Sequence, residues 1–133
     1  MIKYPIKILQ IFAETFEPGS DKYFHWLLDN GYPELAALSH TIKGDRKAKE
    51  WLMNNKFYHL AALDSTIDDE KSARNWLIRY NHHDLVALAD AVNKDKEAYQ
   101  WLEDKQLDIY VHIATKIRKY LDDKYLNYHK IIF

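Results

Sequence analysis

Four Trp-Leu pairs stand in one register in this chain, at 26–27, 51–52, 76–77 and 101–102, each 25 residues from the next. A repeat of fixed period constrains architecture before any local propensity does. Each unit must fold alike and bury its apolar face on its neighbours. The rest of the unit keeps the period. Nine residues after each Trp come Leu35, Leu60, Leu85 and Tyr110. Three further on come Leu38, Leu63, Leu88 and Ile113, and four beyond those Ile42, Ile67, Val92 and Ile117. Residues 26–50 and 51–75 share ten identities in 25 positions, and 51–75 and 76–100 share seven. Chance composition does not place so many identities in one register.

Each unit reads as two helices. Ala48, Trp51, Leu52 and Asn55 fall at i, i+3, i+4 and i+7, one stripe of an α-helix. Leu60, Leu63 and Ile67 form a second stripe, and the few residues between suit a tight αα corner. Asn30-Gly31 is a stop signal followed by Pro33, which suits a first helical turn. Gly44 is a second stop, and Asp45 can cap the helix after it. Asp68-Asp69, Asn81 and Asn93 are weaker stops at related places. Leu-Ala-Ala-Leu at 35–38 and 60–63, and Leu-Val-Ala-Leu at 85–88, predict that the second helices form the more buried layer.

Short helices of this kind are marginal in water alone, and stacking the hairpins buries a continuous core. The predicted fold is therefore all-α, an α-solenoid-like right-handed stack of about four 25-residue helical hairpins. The units lie near 20–44, 45–68, 69–93 and 94–118, with helical caps at 6–17 and 119–133, in one domain spanning 1–133. The expected repeat core is Trp26, Trp51, Trp76 and Trp101 with Leu27, Leu52, Leu77, Leu102, Leu35, Leu60, Leu85, Leu38, Leu63 and Leu88. Two readings stay open at the C-terminal end. Tyr125-Leu126 is a worn Trp-Leu pair, or one long helix runs from about Leu107 to Tyr128.

His59-Leu60-Ala61-Ala62 resembles the first helix of an ankyrin repeat, and Asn75-Trp76-Leu77-Ile78 resembles its second. The resemblance covers the helix pair only. The Thr-Pro-Leu-His opening, the inter-helix glycine and the β-hairpin of that family are missing. It implies stacked helical hairpins and carries no functional residue.

Chemistry-bearing patterns are few. The chain has no Cys, so it offers no disulfide and no thiolate ligand or nucleophile. Ser20, Ser39, Ser65 and Ser72 stand in no Gly-x-Ser-x-Gly or Ser-x-x-Lys context. Three glycines in all leave no phosphate-cradling loop. Among seven histidines no two lie at i, i+4, although Glu34, His59 and Asp84 share one repeat position. The expectation is no enzyme, no metal and no cofactor. A net charge of −1 argues against a broad nucleic-acid footprint. A local basic cluster, Lys116, Arg118, Lys119, Lys124 and Lys130, keeps a nucleic-acid-associated regulatory role as the alternative, with a small enzyme or metal-binding protein third.

The leading expectation is a non-catalytic protein-interaction module with an unidentified protein partner, cytoplasmic and without a membrane span. The two apolar ends matter here. Ile6, Ile8 and Ile11 are left over once Leu9, Phe12 and Phe16 fill the core columns, and the chain finishes Ile131-Ile132-Phe133. A straight stack would hold those ends ~30–40 Å apart, at 8–10 Å per hairpin. Ile6, Ile8 and Ile11 are therefore the candidate interaction surface, for a homodimer through the N-terminal helix.

Overall fold

The computed structural model describes residue 1 and residues 3–132, except for the side chains of 128–132. It is all-α. The helices are α1 (Ile6–Glu14), α2 (Asp21–Asp29), α3 (Pro33–Ile42), α4 (Arg46–Asn54), α5 (Tyr58–Ile67), α6 (Lys71–Arg79), α7 (His83–Val92), α8 (Lys96–Asp104) and α9 (Asp108–Ile132).

The 25-residue period reappears in the turns. Lys56, Asn81 and Gln106 have positive φ at the place of Gly31, and Asp69 and Lys94 at the place of Gly44. Each reverses the chain in a left-handed residue whose neighbours satisfy the orphan carbonyls of the helix end. Phe57 N–H donates to Leu52 O at 2.8 Å, and Lys56 N–H to Met53 O at 3.1 Å. His82 and Leu77, and Leu107 and Leu102, repeat the first bond at 2.8 Å. Asp45 then caps α4, its Oδ1 accepting from the N–H of Lys47 at 2.9 Å and of Ala48 at 3.3 Å. Asn93 is not the left-handed residue of its turn. Its side chain instead donates to Ile67 O at 3.1 Å, tying one unit to the one before.

Two layers result. Helices α3, α5 and α7 bury most of their residues, whereas α2, α4 and α6 bury one leucine each. The inner helices α1, α3, α5, α7 and α9 each pack on the next, and α9 packs on α1. The inner layer thus closes on itself. Helices α2, α4, α6 and α8 each bridge two adjacent inner helices from outside.

This closure changes the reading of the ends. Helices α1 and α9 meet directly. Leu9, Phe12 and Phe16 are buried, and so is Ile8, while Ile11 is half-buried. Only Ile6 of the three expected interaction residues is exposed, at 63%. The wide gap holds only for parallel units, whereas α1 and α9 pack directly on each other. At the other end α9 is continuous from Asp108 to Ile132, so there is no cap boundary at 119 and no second Trp-Leu-like start at Tyr125. The side chains of Ile131, Ile132 and Phe133 lie outside the described residues.

The indoles also need correction. Trp26 and Trp51 are 38% and 36% exposed, and Trp76 and Trp101 are half-buried. The leucine after each one, Leu27, Leu52, Leu77 and Leu102, is fully buried, as are Leu35, Leu60, Leu85, Leu38, Leu63 and Leu88. On an α-helix the next residue points about 100° away, so Trp and Leu cannot share the core direction. Three of the four Trp instead stack on the ring that precedes the following inner helix, whereas Trp101 meets Leu107 at that place in the repeat and has Lys105 over its ring. Trp26 lies on Tyr32 (6.4 Å, 8°), Trp51 on Phe57 (5.9 Å, 10°) and Trp76 on His82 (5.8 Å, 9°). The column is a set of clips over the corners.

Two stability measurements follow from this. Leu52→Ala is expected to cost about 2–5 kcal/mol, and Trp51→Ala only about 1–2 kcal/mol, the scale of a ring pair plus partial burial. Denaturant melts with Trp51→Ala as costly as Leu52→Ala would return the indole to the core. Lys56→Gly is expected to stabilise by up to about 1 kcal/mol, because a left-handed residue with a Cβ is strained by roughly 1–2 kcal/mol. The same melts check it, and a destabilised Lys56→Gly would refute the strain.

Candidate functional site

Between neighbouring outer helices the inner helix forms the floor of a groove. One repeat position pair changes its chemistry from unit to unit. Phe24, Lys49 and Arg74 are equivalent on α2, α4 and α6, and His40, Ser65 and Asp90 are equivalent on α3, α5 and α7. Phe24 stacks flat on His40, centroids 3.9 Å apart. Arg74 holds Asp90 in a two-pronged ion pair at 2.6 and 2.7 Å. Lys49 donates to Asp64 Oδ2 at 3.0 Å and to Ser65 Oγ at 2.7 Å. Burial raises the Asp64 carboxyl above its ordinary pKa, and Lys49 partly offsets this.

Ser65 is the smallest of the three floor residues and sits with Ala61 and Ala62. A groove of about 790 Å³ opens there between α4 and α6. Met53 and Asn54 of α4 stand on one wall, with Trp76 and Ala73 of α6 on the other. Tyr58 closes the apolar end, while Arg46, Glu50 and Glu70 line the rest. The wall residue two after each Trp is periodic too. Leu28, Met53 and Ile78 are all exposed, and Glu103 ends the row. By register each faces the next unit's indole. This surface period was missed in the sequence, although Trp-Leu-Leu, Trp-Leu-Met and Trp-Leu-Ile against Trp-Leu-Glu carried it.

The other candidates disperse. Glu34, His59 and Asp84 sit at the starts of α3, α5 and α7 but find separate partners. Tyr4 Oη donates to Glu34 Oε2 at 3.0 Å, Tyr110 Oη to Asp84 Oδ2 at 2.8 Å, and His59 stacks on His82 at 5.4 Å. Glu34 Oε1 is shielded and has no hydrogen-bond partner. Among the described residues no group of three or more His, Asp or Glu could hold a metal ion. No helix among them is long and apolar enough to cross a membrane.

Four of the five C-terminal basic residues have partners within the chain, and the side chain of Lys130 lies outside the described residues. Lys116 pairs with Glu17 at 2.7 Å and Glu14 at 3.6 Å, and Lys119 with Glu17 at 3.6 Å. Arg118 pairs with Asp122 at 3.0 Å, and Lys124 donates to Lys43 O at 2.7 Å. The hydrogen bond from Lys116 holds the Glu17 carboxyl below its ordinary value.

No family model, no curated protein and no solved structure matches the chain.

Burial, with positive charge nearby, pushes His59 down to about 4. A histidine depressed on folding makes the unfolded state bind more protons between its unfolded pKa near 6.5 and the folded value. Stability is then lost as pH falls through that window. His59→Gln is expected to lose less melting temperature between pH 6.5 and 4 than the wild type. Equal losses would mean that His59 is not the titrating group.

Proposed function

We propose that this chain is a non-catalytic protein-interaction module, an α-solenoid of four helical hairpins, and that its contact site is the groove between α4 and α6. The groove itself is the observation that carries the reading. Its volume lies in the range of sites that seat a ligand or an anchoring segment, about 300–1,000 Å³. Its walls carry Trp76, Met53 and Tyr58, residue types that dominate binding energy where apolar anchors insert. Its floor is alanine and serine, so a partner's side chains can approach the inner helix closely. An apolar trough between helices is the usual seat for the apolar face of an amphipathic helix.

Two earlier expectations lose their support. Self-association through Ile6, Ile8 and Ile11 no longer has an open apolar face behind it. A nucleic-acid role for the C-terminal cluster has most of its cations already matched. A cytoplasmic setting remains the reading of the sequence.

Ala62→Arg places a long charged side chain in the groove and leaves the buried leucines untouched. Tagged wild type, Ala62→Arg and the outer-face control Lys47→Ala are compared by capture from the native lysate and mass spectrometry. The expected result is a set of proteins held by wild type and Lys47→Ala and lost on Ala62→Arg, whose circular dichroism stays helical. Identical sets from all three would sink the groove as the contact site.

A further inference from the structure

A second cavity, of about 580 Å³, lies where α9 passes the connection from α1 to α2 and the turn after α3. Lys43, the half-buried C-terminal cap of α3, lines it. Lys43 Nζ donates to Thr15 O at 2.6 Å, a carbonyl that also accepts from Ser20 Oγ at 2.8 Å. The nitrogen lies over two rings, 5.4 Å from the centre of Tyr120 and 5.7 Å from that of Phe16. Among the described residues it forms no ion pair, whereas Asp64 holds Lys49 and Glu17 holds Lys116. The architecture does not require a cation here. Two repeats on, Asn93 occupies the same position and ties its unit to the one before with a neutral amide. A lysine in that place carries a desolvated amine beyond what the tie needs.

We propose that Lys43 captures small uncharged aldehydes as an imine in this cavity. An amine must be neutral to attack a carbonyl, and a lysine approaches that state near neutral pH where water and counter-ions are kept from it. The Phe16 and Tyr120 rings replace water at the nitrogen, and ring faces return only part of the hydration they remove. Burial accordingly lowers the amine below its ordinary pKa, with Asp21 partly offsetting this. The hydrogen bond to Thr15 O uses one N–H and fixes the nitrogen at the cavity wall. Lys124 lines the same cavity, its Nζ bonded to Lys43 O at 2.7 Å, and its remaining N–H groups are donors available to a carbonyl oxygen. Asp21 and Asp123 also line the cavity and offset the two lysines, while Glu17 is held by Lys116. An uncharged carbonyl compound therefore fits better than an anion. The step balances without a co-reactant. The nitrogen bonds to the carbonyl carbon, the carbon–oxygen bond breaks, and the two protons of the neutral amine leave with that oxygen as one water.

The test treats the full chain at neutral pH with limiting propanal and sodium cyanoborohydride, which fixes each imine as a propyl group. Peptide mass spectrometry then places the label, and the fifteen lysines of the chain compete in one tube. Lys43 is expected to carry several-fold more label than the exposed Lys47 and Lys56. Lys43→Arg keeps a cation and its donors but cannot form the imine, and it is expected to slow the first addition seen in the intact mass. Tyr120→Ala lets water reach the amine and is expected to bring Lys43 down to the level of Lys47 while circular dichroism stays helical. Label on Lys43 no greater than on Lys47 in the wild type would overturn the inference, as would a preference that survives Tyr120→Ala. If Tyr120→Ala unfolds, the wild-type ratio decides alone.

Discussion

The contact between α1 and α9 is the constraint on which the rest of the structure depends. A stack of helical hairpins has two open ends, and each end leaves an apolar face without a neighbour. Here the two faces cover one another. Phe12 of α1, Phe16 just after it, and Ile113 and Ile117 of α9 are all buried, and Lys116 clamps Glu14 and Glu17 at the edge. Apolar burial supplies the larger share. The ion pairs are partly exposed, and pairs of that kind are worth little individually. Their service is geometric, since they hold α9 at one rotation about α1 while the leucines and phenylalanines are hidden.

Closure also explains the division of labour within each unit. Leu-Ala-Ala-Leu on α3 and α5 lets the inner helices approach closely. The outer helices carry the indoles, and an indole is too large to follow them inward. It is displaced to the flank and stacks on Tyr32, Phe57 or His82, the residue just before the next inner helix. Small residues inside and large ones outside give each unit a wedge shape. A wedge repeated along the chain bends it, and the bend brings α1 to α9. The same displacement leaves Trp76 on a groove wall, partly in water.

The sequence shows the units, the helix pairs and the leucine columns well, because all three follow from spacing along single helices. It hides closure, which depends on a small rotation per unit that no single unit displays. It also hides the indole's true place. A Trp at helical spacing beside a Leu looks like core from periodicity alone, and the preference for the leucine comes from the neighbouring helix. The candidate site was harder still. The pairs Phe24 with His40, Lys49 with Ser65 and Arg74 with Asp90 lie 16 residues apart on different helices, and their chemistry changes from stack to hydrogen bond to ion pair. No single pattern search finds a position whose identity is not preserved. Ile8 is spare once Leu9, Phe12 and Phe16 fill the core columns of the repeat, and it is buried in the structure, where α9 packs on α1.

That variable pair marks where a duplicated unit acquired individuality. The buried columns cannot change, because every unit must pack on the next through the same leucines. The pair at the groove floor faces outward and is free to differ. Phe24 stacks flat on His40 in one unit, and Arg74 holds Asp90 in a bidentate ion pair in another. In the unit between them Ser65 is short, and Lys49 lies along the groove floor, donating to Ser65 Oγ and Asp64 Oδ2. The groove floor is thus set by one small residue and one lysine held down on it by two hydrogen bonds. Binding specificity in such a chain is written at positions that packing leaves unconstrained, and the rigid closed layer beneath keeps Met53 and Trp76 at a fixed separation across it.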